Sequence, residues 1–372
     1  MALPTSILWT MRLSLLLATV LPLAAADFTA HTVATGLRGG YQVVVADLNH
    51  DGKPDLIALA SGMPELVWFE NPTWERHVIA GGLRQMINCA VVGDEIVLAS
   101  EFSNQAKDSA GVVSVLRPNG DPRQPWTVTE IDRLPTSHRL RVAKIDGGEP
   151  IVINAALTGP KAEPPDYRGQ TPLVYYRAGE WKRHVISEEN SGVVHGVWII
   201  DWDGDGRDDI LTASFTGIHL FHAPDWKRTE IAKGDPAPWP KSGSSDVAVG
   251  KLGRERFLAA IEPWHGNQVV IYRQRGGAWQ RTVIDDKLVD GHTIVTGDFN
   301  GDGNDEVVAG YRGTGRSVYI YSLEGEKWTR STLDDGGMAA AACAVGDLNG
   351  DKKTDVVCIG SATANLKWYE NR

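Results

Sequence analysis

Basic residues are scarce in this chain. Its 372 residues include 37 Lys and Arg against 47 Asp and Glu, so the formal net charge is −10 at pH 7. Nucleic acids select basic surfaces, because binding neutralises their phosphates. The composition therefore argues against nucleic acid as a partner.

Long apolar segments are also rare, and the longest lies near the N-terminus. Arg12 precedes the run LSLLLATVLPLAA, and the small residues AAA stand before Asp27. A basic residue, an apolar stretch and small residues in this order are typical of a secretory signal peptide. We predict a signal peptide over residues 1–26 and a mature chain over 27–372 with no membrane span. The expected location is secreted or periplasmic.

Cysteine is the third scarce residue, with Cys89, Cys343 and Cys358 as the three copies. Three cysteines do not make a disulfide framework. Cys343 and Cys358 flank an acidic segment and could face each other across a hairpin. Their apolar neighbours favour buried free thiols, and we take that as the expectation.

An acidic nine-residue segment is abundant instead. Copies begin at Asp47, Asp201, Asp298 and Asp347, and Lys352 replaces the usual glycine in the last. Clustered oxygen ligands in a flexible turn suit Ca²⁺, and the flanking apolar runs are short and β-like. We predict calcium-binding turns inside β-hairpins, with these ligands: Asp47, Asn49, Asp51, Asp55, Asp201, Asp203, Asp205, Asp209, Asp298, Asn300, Asp302, Glu306, Asp347, Asn349, Asp351 and Asp355.

A second repeat, of the type WxRxxI, recurs about every fifty residues. Phe28 occupies the tryptophan position of the first copy, and six copies follow at Trp74, Trp126, Trp181, Trp226, Trp279 and Trp328. A period near fifty with several short strands per unit indicates a β-propeller. We predict an all-β fold: a seven-bladed β-propeller of four-stranded blades. The N-terminal strand should complete the last blade and close the ring.

These acidic turns and their flanking strands resemble FG-GAP/VCBS-type repeats, such as those of integrin α-subunit propellers. The resemblance covers essentially the whole mature chain. It implies the propeller fold and a structural role for the turn calcium, but it does not imply a particular function.

Three histidines share one position in the repeat, six residues before the start of the acidic turn. They are His138, His195 and His292, from blades three, four and six. Equivalent positions of the inner strands surround the channel of a propeller, so these side chains should converge on the face opposite the acidic turns. Three imidazoles suit Zn²⁺ or a similar divalent metal, and hydrogen-bonded channel walls are the alternative. His31, His77 and His184 share a different position, near the rim, where we expect structural or surface roles.

Loops that should open on the histidine face are rich in polar and aromatic residues, and loops on a rigid scaffold often carry function. The segments SHRLRV, HGVWIIDWDGDG, EPWHGNQ and DGHTIVTGDFNGDG occur in the order seen in the propeller domain of the aldos-2-ulose dehydratase family. That resemblance implies a metal-dependent lyase acting on keto-sugars. The additional cupin domains of that family have no counterpart in this sequence.

The implied chemistry is a dehydration or β-elimination next to a carbonyl. A metal on neutral imidazoles polarises the carbonyl, and a base removes the adjacent proton. His265, Tyr41 and Glu262 are the candidate acids or bases, and Arg312 is the candidate for steadying the enolate. Two alternatives remain open: a non-catalytic, calcium-stabilised propeller that binds carbohydrate or protein, and a polysaccharide lyase.

Overall fold

The computed structural model describes residues 26–146 and 149–372, and these residues form seven antiparallel four-stranded sheets. The predicted signal peptide falls almost entirely outside the described residues. Each sheet is one blade, so the predicted all-β, seven-bladed propeller is confirmed. In the part of the chain that is described, no helix is long and apolar enough to span a membrane.

Strands are numbered β1 to β28 in chain order, and each blade contributes one strand to each of four positions. The inner strands are β2 (Gly40–Ala46), β6 (Asn88–Val92), β10 (Ser137–Asp146), β14 (Val194–Ile200), β18 (Asp246–Leu252), β22 (Gly291–Gly297) and β26 (Ala340–Gly346). The second strands are β3 (Asp55–Ala60), β7 (Glu95–Ser100), β11 (Glu149–Ala156), β15 (Asp209–Ser214), β19 (Glu255–Glu262), β23 (Glu306–Tyr311) and β27 (Asp355–Gly360).

The third strands are β4 (Leu66–Glu70), β8 (Val112–Arg117), β12 (Gln170–Arg177), β16 (Gly217–His222), β20 (Gln268–Arg275), β24 (Val318–Glu324) and β28 (Asn365–Asn371). The outer strands are β5 (Glu75–Ala80), β9 (Thr127–Arg133), β13 (Arg183–Ser191), β17 (Lys227–Ala232), β21 (Ala278–Asp285), β25 (Lys327–Asp334) and β1 (Phe28–Thr35). One 3₁₀ turn, Ala106–Asp108, lies in the loop after β7.

The hydrophobic core lies between neighbouring blades. Strands β3, β15, β23 and β27 are buried at every residue, because other blades cover both of their faces. This explains why the second strands are continuous apolar runs instead of alternating ones.

Ring closure follows the predicted scheme. Strand β1 pairs antiparallel with β28, from Phe28 opposite Asn371 to Thr35 opposite Asn365. The last blade therefore combines the first described strand with the last three. Pairing satisfies the outer edge of β28, which would otherwise present unpaired backbone groups.

The acidic segments form the turns between the inner and second strands at one end of the blades. In the first turn the Asp47 carboxylate accepts hydrogen bonds from the backbone N–H groups of Asp51 and Gly52. The last carboxylate of the turn, Asp55, is buried and accepts from the backbone of Leu48 and Asn71. Asn71 directly follows the third strand, so the final acid of the turn also links the second and third strands of the blade.

The expectation of free thiols at Cys343 and Cys358 is wrong. The two residues lie directly opposite each other in the β26–β27 pair and form a disulfide with an S–S distance of 2.01 Å. The cross-strand pairing brings the two β-carbons close, which apolar neighbours alone did not reveal. Cys89 is free and buried.

Candidate functional site

The entry to each inner strand, at the end of the channel opposite the acidic turns, carries the candidate site. Tyr41, His138, His195 and His292 are each the second residue of their strand. In each case the pairing with the second strand skips that residue, so it is the extra residue of a β-bulge. A bulge re-aims a side chain away from the regular alternation. Here the bulges bring four ring side chains together at the channel.

Backbone carbonyl groups of the next blade fix the orientation of two histidines. His195 Nδ1 lies 3.2 Å from the carbonyl oxygen of Ser245, and His292 Nδ1 lies 2.5 Å from that of Ala341. A carbonyl only accepts, so each Nδ1 carries the proton and donates it. The Nε2 atom of each ring then carries the lone pair, which is the state that a metal ligand requires.

A third histidine joins them from the loop between β19 and β20. His265 Nε2 lies 3.4 Å from His195 Nε2. The backbone N–H of His265 donates to Ser245 Oγ at 3.3 Å, which holds the loop against the entry to β18, the inner strand of the same blade. On its other side, His265 Nδ1 lies 3.2 Å from Asp290 Oδ1 and 3.1 Å from Arg312 Nη2.

His195, His265 and His292 each offer one ring nitrogen, and these three atoms lie within 4.8 Å of one another. Two nitrogens bound to one tetrahedral Zn²⁺ at about 2.0–2.1 Å are roughly 3.4 Å apart, which is the separation of the His195 and His265 Nε2 atoms. His292 Nε2 is buried without a hydrogen-bond partner. A buried polar atom with no partner is costly, so these residues fit a divalent metal.

The protonation states agree with that fit. Burial, followed by the charge of Arg139, lowers the pKa of His195 well below its usual value. Burial, followed by the charge of Arg312, does the same to the pKa of His292. Burial, followed by Arg312, lowers the pKa of His265 to about 4. All three imidazoles are therefore neutral at pH 7, the form that binds metals.

His138 lies beside this group and has a different partner. Its Nε2 is 2.7 Å from Tyr41 Oη, and its ring centroid is 5.0 Å from that of His195. Its Nδ1 is buried without a partner. Burial raises the pKa of Tyr41 and lowers that of His138 well below its usual value. The structure thus brings the three sequence-predicted histidines together. The set whose ligand atoms lie within 4.8 Å of one another contains His265, predicted as an acid or base, in place of His138.

Glu262 lies in a separate polar network. Its side chain is fully buried, and its carboxylate accepts hydrogen bonds from Ser244 Oγ at 2.7 Å, Tyr272 Oη at 2.6 Å and Arg281 Nε at 2.8 Å. Burial raises the pKa of Glu262 despite these donors. Both carboxylate oxygens thus already accept hydrogen bonds from the protein. Glu262 has a structural role beneath the His265 loop, in place of the acid or base role that the sequence suggested.

Arg312 reaches the site but is bound by a carboxylate. Its Nε and Nη2 atoms lie 3.1 and 3.0 Å from the two oxygens of Asp290. Two residues of the site were not predicted from the sequence: Asp290 and Arg139. Arg139 Nε donates to the His195 carbonyl at 2.8 Å, and Arg139 Nη2 lies 3.4 Å from His195 Nε2. Asp290 lies two residues before His292, and Arg139 directly follows His138. This closeness in the sequence to a predicted histidine could have identified them.

Aromatic side chains form a wall beside His265. The Trp264 ring lies 4.7 Å from His265 and 5.6 Å from Tyr167, which belongs to the long loop of blade three. Phe215 packs 5.6 Å from Trp264 and 5.1 Å from Trp239. Tyr167 and Phe215 are buried inside this cluster, so Trp239 and Trp264 are its partly exposed rings.

The rim histidines lie apart from this cluster, each paired within its own blade. His31 contacts Glu370 at 2.8 Å, His77 contacts Glu70 at 2.9 Å, and His184 stacks on Tyr175 with centroids 4.8 Å apart. Their position at the outer strands explains why a shared repeat position does not bring them together.

Comparison with known proteins agrees with the fold. Residues 110–275 match the aldos-2-ulose dehydratase β-propeller domain, residues 298–358 an FG-GAP-like repeat and residues 39–63 an FG-GAP repeat. The chain is 26% identical to the aldos-2-ulose dehydratase of Phanerodontia chrysosporium over 261 residues. That match covers 59% of this chain and 28% of the relative. The predicted resemblance is thereby confirmed: the chain carries FG-GAP repeats and is similar to the propeller of aldos-2-ulose dehydratase.

Proposed function

We propose that this propeller is a metal-dependent carbon–oxygen lyase that acts on a keto-sugar or an oxidised glycoside. The observation that carries the proposal is the convergence of His195, His265 and His292, whose ligand atoms lie within 4.8 Å of one another. These residues would hold Zn²⁺ or a similar ion. When bound, such an ion polarises a substrate carbonyl as a Lewis acid. The similarity to a dehydratase propeller supports the same reaction class.

The chain's own residues supply the remaining roles. The Tyr41–His138 pair can move a proton, because the Tyr41 hydroxyl and His138 Nε2 are in hydrogen-bond contact. The pair takes the proton next to the carbonyl and gives a proton to the departing β-oxygen, which leaves as water or an alcohol, so the pair ends in its starting protonation state. Arg139, 3.4 Å from His195 Nε2, is placed to offset the negative charge that develops on the carbonyl oxygen. This role replaces the one that the sequence suggested for Arg312, which holds Asp290 and His265.

Substrate approaches on the face formed by the long loops. His265, with 30% of its side chain exposed, is the solvent-facing member of the cluster, and the aromatic wall at Trp264 stands beside it. A sugar ring stacked on this wall presents its carbonyl towards the histidines.

The four acidic turns are proposed as structural Ca²⁺ sites. Their oxygen donors are of the type that Ca²⁺ prefers, and in the second turn carboxylate oxygens of Asp201, Asp203 and Asp205 lie within 4.8 Å of one another. We also propose that the protein is exported. The Cys343–Cys358 disulfide supports this, since disulfides persist in oxidising compartments.

The competing function is a binding propeller without catalysis. It is favoured by the burial of His138, His195 and His292, each 1% exposed, which also suits side chains that merely fill a channel. The discriminating experiment combines elemental analysis with an elimination assay on a 3-keto-glycoside and on 1,5-anhydrofructose, followed by the ultraviolet absorbance of the conjugated enone. A lyase yields enone and contains a transition metal besides calcium. A binding propeller yields neither.

A further inference from the structure

A cavity lies inside the channel, between the histidine cluster and the end of the channel that carries the acidic turns. Its volume is about 560 Å³, and residues of the inner strands line it, with Arg139, Arg141, Asn88, Asp246 and His292 at its polar end. The inner strands are half-exposed at their other ends, near the acidic turns. The cavity is therefore reached from the face opposite the proposed active site.

Two guanidinium groups enter this cavity from one strand. Arg139 and Arg141 are two residues apart on β10, so they lie on the same face. Arg139 is 4% exposed. Among the described residues, no carboxylate lies within 4.0 Å of either guanidinium, although Asp246 lines the same cavity. One buried and one partly buried positive charge against one negative charge leave a net positive cavity.

Hydrogen-bond donors also outnumber acceptors here. Arg141 Nη1 donates to the Leu140 carbonyl at 2.8 Å, and it lies 3.3 Å from Asn88 Oδ1, which already accepts from the backbone of Leu140. Asn88 is fully buried, and its Nδ2 has no partner. Gln42 cannot supply the missing acceptor, because both ends of its amide are engaged by Cys89.

We propose that this cavity binds a small carboxylate anion between Arg141 and Asn88. A carboxylate brings the missing acceptors, and a guanidinium can bind its two oxygens as a fork. The anion also supplies negative charge that balances the excess positive charge of the two arginines. Chloride meets the same charge but not the two-oxygen geometry. Arg141 and Asn88 have no role in the proposed active site, so this inference goes beyond the proposed function.

The test is isothermal titration calorimetry of the full mature chain with acetate, in a low-chloride buffer. Wild-type protein should bind one acetate saturably, and R141M should weaken binding at least tenfold. R141K, which keeps the charge and loses the fork, should also weaken it. R275Q is the matched control, because Arg275 lies on the exposed end of β20 and should leave binding unchanged.

A second variant guards against misfolding of R141M. N88D has the shape of the native side chain and places a carboxylate against Arg141. It should abolish acetate binding and raise the melting temperature, because the protein then carries its own anion. Absence of saturable acetate binding in wild type, or wild-type affinity in both R141M and N88D, would overturn the proposal. Equal affinity for acetate and chloride would contradict the carboxylate assignment.

Discussion

Replacing Glu262 by alanine should destabilise the fold. The fully buried carboxylate accepts hydrogen bonds from Ser244, Tyr272 and Arg281, and E262A leaves all three donors without their acceptor. Removing one partner of a buried ion pair costs about 3–5 kcal/mol. Arg281 is 26% exposed, so water replaces part of its lost interaction, and we expect about 3 kcal/mol. For a large domain, 1 kcal/mol shifts the melting temperature by about 2 °C, which gives a decrease of roughly 6 °C.

Differential scanning calorimetry of E262A and E262Q checks this reasoning. E262Q keeps an acceptor oxygen for the hydroxyl donors but turns an amide donor towards the Arg281 side, so its melting temperature should fall between those of wild type and E262A. The control is E255A, since Glu255 is exposed and its ion pairs lie on the surface. Wild-type melting of E262A, together with loss of enone formation in E262Q, would refute the structural assignment and restore a catalytic one.

Four further outcomes are expected. Excess chelator should lower the melting temperature by exposing the repulsion of the acidic turns, and added Ca²⁺ should restore it by mass action; an unchanged melting curve would contradict calcium occupancy. Deleting residues 27–34 removes all of β1 except Thr35 and exposes the edge of β28, so light scattering should show aggregation; a stable monomer would contradict ring closure. Replacing Cys343 and Cys358 by serine removes a disulfide between positions 15 residues apart and should lower the free energy of unfolding in denaturant titrations by about 3 kcal/mol. Equal denaturation midpoints for the variant and wild type would contradict the disulfide. Burial lowers the pKa of His219 from 6.5 to about 4. As the pH falls, His219 is protonated in the unfolded chain before it is protonated in the folded one, so the free energy of unfolding should decrease between about pH 6.5 and 4. H219Q should show a smaller decrease, and an identical decrease would contradict the lowered pKa of His219.

The architecture could be predicted from the sequence because the same motifs recur in successive blades. The tryptophan position and the acidic turn recur in fixed order, so the blade boundaries and the closure by β1 followed without any long-range contact. The same repeat position identified His138, His195 and His292 as a converging set. A seven-fold pattern fixes which residues are equivalent, and equivalent inner positions must surround the axis.

The details of the site could not be predicted, because they depend on backbone geometry within each blade. The bulges that turn Tyr41 and His195 towards the axis have no sequence signature in the repeat. His265 comes from a loop, outside the repeat position, and its distance to His195 is set by the bond between its backbone and Ser245. The disulfide was missed for a related reason: only strand register shows that Cys343 faces Cys358.

The central claim is that His195, His265 and His292 hold one transition metal. The most direct measurement is elemental analysis of purified protein and of the single alanine variants, after equilibration with Zn²⁺ and removal of loosely bound ions. We expect about one equivalent of Zn²⁺ in wild type and in the rim control H77A. H195A, H265A and H292A should lose most of it, with calcium content and fold retained. Equal metal content in all five proteins, or no bound transition metal in wild type, would contradict it.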